Sequence, residues 1–275
     1  MERMPPAGRP LRGVRTVACV DPKPRIALLI DADNASAKRI DLILNELSNF
    51  GETNIRRAYG NWTKPELAGW TAVLSDNAIR PVQQFDQTKG KNASDMALVI
   101  DAMALLYTDA PDAFAIASSD ADFTPLVMHL REKGAAVYGF GDRKTPMPFQ
   151  NACTRFLVLD QLRDAQEEPD PEEAPTTRLR ATTQELKQDR KLVALLRRAV
   201  QNAADDDGWA AVGAVGNLIA NQSSFDSRNY GYAKLTALIK ATELFEMRDE
   251  GKPTLAVRDK RVAGGAGGGG SSRNR

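Results

Sequence analysis

Ala113-Phe-Ala-Ile-Ala-Ser-Ser-Asp-Ala-Asp122 carries a short, apolar, β-rich run straight into two aspartates, and Arg25-Ile-Ala-Leu-Leu-Ile30 does the same, delivering Asp31-Ala-Asp33-Asn34. Apolar runs of this length, without polar alternation, read as buried strands. In open parallel α/β sheets ligands bind at the carboxyl ends of strands. Two strands ending in carboxylates therefore predict an acidic site on one rim of a sheet.

Outward from these two strands the chain alternates. Residues 37–50 put Ile40, Leu44 and Leu47 on one helical face and stop at Gly51. Residues 54–59 read as a strand, 65–74 as a helix and 80–85 as a strand. Residues 94–107 read as a helix, with Met96, Val99, Ile100, Met103 and Tyr107 at helical spacing. Thr124 and Pro125 read as the N-cap and first residue of a helix that Gly134 ends, and 136–140 and 156–159 supply two more strands. Strands separated by helical crossovers predict an α/β fold, a mainly parallel sheet with helices on both faces, over residues 25–162.

Residues 1–24 hold five prolines without periodicity and read as a disordered tail. Residues 163–182 read as an acidic, Pro-rich linker. A second compact unit is expected over 183–258: helices at 183–203, 212–219 and 232–242, then a hairpin of 244–247 with 254–257. That order predicts a small winged-helix domain, and residues 259–275 read as a Gly-rich flexible tail.

The composition sets bounds. With 275 residues, 42% of them apolar, the chain can bury a sizeable core. A net charge of +1 makes no global case for nucleic acid, so any basic surface must come from local segregation. Cys19 and Cys153 lack metal-type spacing, which favours a reducing compartment. No run approaches the roughly 18 apolar residues of a membrane span. A soluble, cytoplasmic protein is expected. His129 is the single histidine, which excludes a histidine-dependent triad or a zinc cluster.

A third carboxylate comes from Lys89-Gly-Lys-Asn-Ala-Ser-Asp95. With Ser94 as N-cap, Asp95 falls in the first turn of its helix, where backbone donors and the macrodipole favour an ionised acid. Asp31, Asp95, Asp120 and Asp122 then meet at one rim. Such a set repels itself without a cation, and hard oxygen ligands select Mg2+ or Mn2+ over zinc. The matching chemistry is attack of water on a phosphodiester, with Lys89 and Lys91 placed to hold a substrate phosphate. Bland readings stand beside these: Asp-x-Asp alone is often a cap, Asp33 and Asn34 suit a turn, Asp101 reads as a solvated helical acid, and Asp142 beside Gly141 reads as a turn.

Four stretches in combination, Leu28-Leu-Ile-Asp-Ala-Asp-Asn34, Gly90-Lys-Asn-Ala-Ser-Asp-Met-Ala-Leu-Val-Ile-Asp-Ala-Met103, Ser118-Ser-Asp-Ala-Asp-Phe-Thr-Pro-Leu126 and Val137-Tyr-Gly-Phe-Gly141, resemble the NYN domain. The likeness is to its LabA-like branch, related to PIN-domain and FLAP nucleases. The resemblance implies a Rossmann-like, PIN-like, metal-dependent ribonuclease. Its acidic pocket falls on Asp31, Asp95, Asp120 and Asp122, with Asp33, Asn34, Ser119 and Thr124 in support. Trp209-Ala-Ala-Val-Gly-Ala-Val-Gly-Asn-Leu-Ile219 and Phe225-Asp-Ser-Arg-Asn-Tyr-Gly-Tyr-Ala-Lys-Leu-Thr-Ala-Leu-Ile239 resemble the OST-HTH/LOTUS domain, which implies RNA binding or, in some members, protein binding. Arg228, Tyr230 and Lys234, near the start of its presumed recognition helix, suit phosphates and unpaired bases.

The leading expectation is an endoribonuclease using Mg2+ or Mn2+, with RNA recruited by the second domain. The alternative is a non-catalytic RNA-binding adaptor. A phosphotransferase reading of Asp31-x-Asp33 lacks the Thr or Ser usual after the second aspartate, since Asn34 stands there. Sheet edges and the linker leave a homo-oligomer open.

Overall fold

The structure, a computed structural model, describes residues 23–85, 93–162, 180–222, 224–252 and 254–263. Six parallel strands build the first domain: β1 (Arg25–Asp31), β2 (Glu52–Gly60), β3 (Arg80–Gln83), β4 (Ala113–Ala117), β5 (Ala136–Gly141) and β6 (Arg155–Val158). Their order across the sheet is β3-β2-β1-β4-β5-β6. The winding therefore reverses between β1 and β4, where open parallel sheets form a ligand crevice.

The sequence of β1 explains its place at the centre. Ile26, Leu28 and Ile30 pack with one core while Ala27 and Leu29 pack with the other, and all five are fully buried. The first core includes α1 (Ile40–Ser48), α2 (Trp70–Asp76) and α6 (Leu159–Leu162). The second includes α3 (Ala93–Thr108), α4 (Thr124–Glu132) and α5 (Met147–Ala152). Each large aliphatic side chain so buried contributes about 1.5–3 kcal/mol, so β1 fixes the sheet before any polar contact is counted.

Several local expectations change. The helix expected at 65–74 divides into a 3-10 turn, Pro65–Leu67, and α2, with Gly69 between them. Helix α5 falls in a stretch too short for helical periodicity to register. Asp101 is no solvated acid: it is half-buried and accepts from the Arg57 guanidinium and the Tyr59 hydroxyl of β2. This pair of bonds fastens α3 to the sheet one and a half turns below Asp95.

The second domain contains α7 (Thr183–Gln188), α8 (Arg190–Ala203), β7 (Ala210–Ala211), α9 (Val212–Gln222), α10 (Leu235–Thr242), β8 (Phe245–Arg248), β9 (Ala256–Asp259) and α11 (Lys260–Ala263). Its antiparallel sheet runs β7-β9-β8 behind the helices, a winged-helix arrangement. Thr182 and Glu185 form a capping box for α7. The single helix expected over 183–203 breaks at Asp189, whose carboxylate accepts from the amides of Lys191 and Leu192 and starts α8. Residues 260–263, expected in the tail, are helical.

The two domains meet along β6. The Asn229 amide nitrogen donates to the Phe156 carbonyl at 2.9 Å, and its oxygen accepts from the Val158 amide at 3.0 Å. One side chain thus satisfies an edge strand as a further strand would. No helix among the described residues is long and apolar enough to cross a membrane. The expectations for 1–22, for 163–179, for 264–275 and for Lys89 and Lys91 lie outside the described residues.

Candidate active site

Asp31 ends β1 and is 1% exposed. Its Oδ2 accepts from the Ser118 hydroxyl at 2.7 Å and the Asn34 amide at 2.8 Å, while its Oδ1 is buried without a partner among the described residues. A buried carboxylate oxygen left unpaired carries a free-energy cost unless a cation or proton meets it. Burial raises the Asp31 carboxyl above its ordinary range, against the lowering effect of the Asn34 and Ser118 hydrogen bonds.

Asp95 lies in the first turn of α3. Its carboxyl is pushed up to about 6, first by burial and then by the charges of Asp31, Asp120, Asp33 and Asp122. Those four acids come from the ends of β1 and β4, so the sheet topology delivers them to the same rim as the start of α3.

The acids nonetheless fan out onto separate donors. Asp120 caps the 3-10 turn Ala121–Phe123 by accepting from the Asp122 amide at 2.8 Å, and its own amide donates to the Ser118 hydroxyl at 3.1 Å. Asp33 accepts from Lys64 at 3.3 Å and from the Ser94 hydroxyl at 3.0 Å. Ser94, expected as the cap of α3, is instead a first-turn residue spent on Asp33, and α4 begins one residue early, at Thr124. Thr124 donates to the Ala121 carbonyl at 2.6 Å, and the Ser119 hydroxyl accepts from the Asp142 amide at 3.0 Å. Among the described residues no three acids stand close enough to form a ready-made cation cluster. What the rim offers is an acidic field with one vacant oxygen at its base.

Sequence reasoning passed over Ser118 and Lys64. Ser118 is buried where β4 ends and bridges Asp31 to the Asp120 amide, so it couples the two strand ends. The doubled serine before Asp120 was its only local signal. Gly141 supports the same point from β5: a Cβ there would lie 2.5 Å from the Thr145 hydroxyl and 3.0 Å from the Ser118 carbonyl.

The expected RNA contacts of the second domain change more. Arg228 grips Asp226 at 2.9 Å and Glu46 of α1, so its guanidinium is committed to the domain junction. Its charge is held more firmly than usual by those two carboxylates. The Tyr230 hydroxyl donates to Asp189 at 3.1 Å within its own domain. Lys234 is exposed ahead of α10. Arg228 and Tyr230 looked available because Glu46 and Asp189 lie far away in the chain.

Comparison with known proteins gives two family matches: the NYN domain at residues 25–160 and the OST-HTH/LOTUS domain at residues 186–257. An uncharacterized protein of Methanocaldococcus jannaschii is 32% identical over 123 residues, 42% of this chain, and the chain spans about half (47%) of that relative's length. A crystal structure of a protein of unknown function from Vibrio parahaemolyticus aligns with TM-score 0.44 and 18% identity, covering 52% of this chain and 96% of that one. A solution structure of an uncharacterized Nitrosomonas europaea protein aligns with TM-score 0.24 and 26% identity, over 40% of this chain and 95% of that one. At these scores neither structure bears on function.

Proposed function

We propose that this chain, which carries an NYN domain followed by an OST-HTH/LOTUS domain, is an endoribonuclease that needs Mg2+ or Mn2+ and hydrolyses RNA phosphodiester bonds at the rim of β1 and β4. The observation that carries the reading is the buried Oδ1 of Asp31, which has no partner among the described residues, beside an Asp95 carboxyl that burial and then four neighbouring acids lift to about 6. That combination fits a hard divalent cation. Asp31, Asp95, Asp120 and Asp122, though no three of them form a ready-made cluster among the described residues, would hold it. When bound, it would activate water and offset the negative charge of the transition state.

The chain's own residues do the positioning. Ser118 and Asn34 fix the Asp31 carboxylate by occupying one oxygen and leaving the other free. The Asp122 amide orients Asp120. Lys64 and Ser94 hold Asp33 aside from the ligand set, in a supporting role. The second domain is proposed to recruit RNA through exposed residues such as Lys234.

The test is cleavage of a panel of single-stranded and structured RNAs with Mg2+, Mn2+ or chelator, comparing wild type with Asp120→Asn. Asparagine keeps the cap to the Asp122 amide, so folding is spared while a charge is lost. Removal of one such charge is expected to slow cleavage by about 100-fold or more. Equal cleavage by the variant sinks the reading, and tight RNA binding without cleavage under either metal favours an adaptor instead.

A further inference from the structure

Beside the acidic rim lies a cavity of about 200 Å3 whose walls include Asn34, Ser36, Arg39, Ser119, Gly141 and Asp142. Asn34 and the adjoining Ser118 are the two donors to Asp31, so the cavity and the acids share a wall. Arg39 lines it, and the chain segments that line it also carry Lys38, next to Arg39 in the 3-10 turn before α1, and Arg143 and Lys144, which follow Asp142 in the loop after β5. Lys38, Arg143 and Lys144 are exposed. The nearby acids are already engaged: Asp142 accepts from the Lys144 amide at 2.7 Å, and Asp160 accepts from Arg39 and, at 3.4 Å, from the Arg143 amide. In a chain whose net charge is +1 this is a local segregation of cations, in the segments beside the acidic rim.

We propose that this cavity and its basic collar form a subsite for one unpaired nucleotide next to the cleaved bond, with Arg39 on its ribose or phosphate and Lys38, Arg143 and Lys144 along the adjoining backbone. The proposal rests on the ribonuclease reading and names its substrate as single-stranded RNA. At about 200 Å3 the cavity takes a ribose and phosphate and leaves no room for paired bases, which suits an unpaired strand. The polar lining is hydroxyl, amide and guanidinium, with the Asp142 carboxylate accepting from the Lys144 amide, which suits a ribose and phosphate better than an apolar ligand. Phe140 is buried and offers no stacking face, so little base specificity is expected. The collar also gives direction. Asp160, which orients Arg39, belongs to α6, and α6 packs against Ser227–Tyr230 of the second domain. A strand leaving the acids through this subsite runs toward that domain.

Binding of a labelled, unstructured RNA of about a dozen nucleotides is measured by fluorescence anisotropy on the full chain in chelator. Wild type is compared with the double variant Arg143→Glu/Lys144→Glu and with Arg39→Gln. The control is Arg80→Glu/Lys133→Glu, at the opposite ends of the strands. Arg143 and Lys144 are exposed, so their reversal spares the fold. The collar variant is expected to bind about tenfold more weakly or worse, with a salt slope shallower by about two. Arg39→Gln should lose affinity as well, and the control should stay near wild type. No measurable binding by wild type, unchanged binding by the collar variants, or an equal fall in the control overturns the subsite. Duplex RNA of the same sequence binding as tightly overturns the single-strand assignment. The assay reads binding without metal, so a chain that binds through the collar and never cuts refutes only the ribonuclease reading. Cleavage with undiminished affinity in the collar variants refutes only the subsite.

Discussion

Asp95→Asn should make the metal-free protein more stable while disabling the site. The Asp95 carboxyl stands at about 6 against an ordinary 3.8, with burial as the leading cause and four neighbouring acids after it. A difference of about two units corresponds to about 3 kcal/mol of ionisation cost in the folded state. Water reaches this rim, and screening with local relaxation brings the figure to about 1–2 kcal/mol. The variant also gives up a favourable charge in the first turn of α3, a loss of about 0.3–1 kcal/mol. A net gain of about 1 kcal/mol remains, visible as a rise in Tm of about 2–4 °C.

The sign with pH is fixed by the direction of the shift. Because the folded pKa is raised, the native state binds this proton more tightly than the unfolded chain. Wild-type stability from Asp95 is then full below about pH 4 and is lost as pH rises through about 6. The variant has no such slope. Its advantage in chelator should be full at about pH 7.5 and shrink to about a third near pH 4.5. Adding Mg2+ should raise the wild-type Tm and leave the variant nearly unmoved. Thermal unfolding in chelator across that range checks the argument. A variant no more stable than wild type at neutral pH, or an advantage constant with pH, would refute it.

Three further outcomes follow from single contacts. Burial pushes the Cys153 thiol up to about 12, so in a Cys19→Ser background it should react with a disulfide reagent at mildly alkaline pH only on unfolding; rapid labelling of the native protein contradicts the packing. Asn229→Ala leaves the Phe156 carbonyl and Val158 amide unpaired, at about 1–3 kcal/mol for each buried group; hydrogen exchange along β6 should accelerate, and unchanged protection there contradicts the edge pairing. Gly141→Ala drives a methyl against the Thr145 hydroxyl and the Ser118 carbonyl, costing about 1–3 kcal/mol and weakening cleavage through displaced Ser118; a variant with full stability and activity argues against that route.

How much was legible depended on how far each residue's partners lay. The strands β1 and β4 were plain because a fully buried run needs no context: every residue of Ala113–Ala117 is buried, as its composition implied. Asp31 is the last residue of β1, and Asp120 stands three residues beyond β4, where its amide bonds the Ser118 hydroxyl. The division between α7 and α8 was hidden because apolar residues continue on both sides of it, Leu186 before and Leu192 after, and only the capping habit of Asp189 marked the break. Asp101 was misread for a different reason. Its burial is set by Arg57 and Tyr59, 44 and 42 residues earlier, which no helical window contains. Arg228 is the extreme case, because Glu46 is 182 residues away and in another domain.

That last contact changes how the two domains relate. A winged-helix unit expected on a tether would move independently of the acidic rim. Instead Asn229 completes the backbone pairing of β6, Arg228 joins Asp226 to Glu46, and Arg155 of β6 lies 3.6 Å from the same Asp226. Moving the second domain would expose an edge strand and strip partners from charges already shielded from water, which is costly for each group left behind. The position of the second domain is therefore set by contacts at the sheet edge. A strand of RNA held by both domains would meet the acids at a fixed register, with the cations of the α1 and β5 loops lying between the two ends of the path.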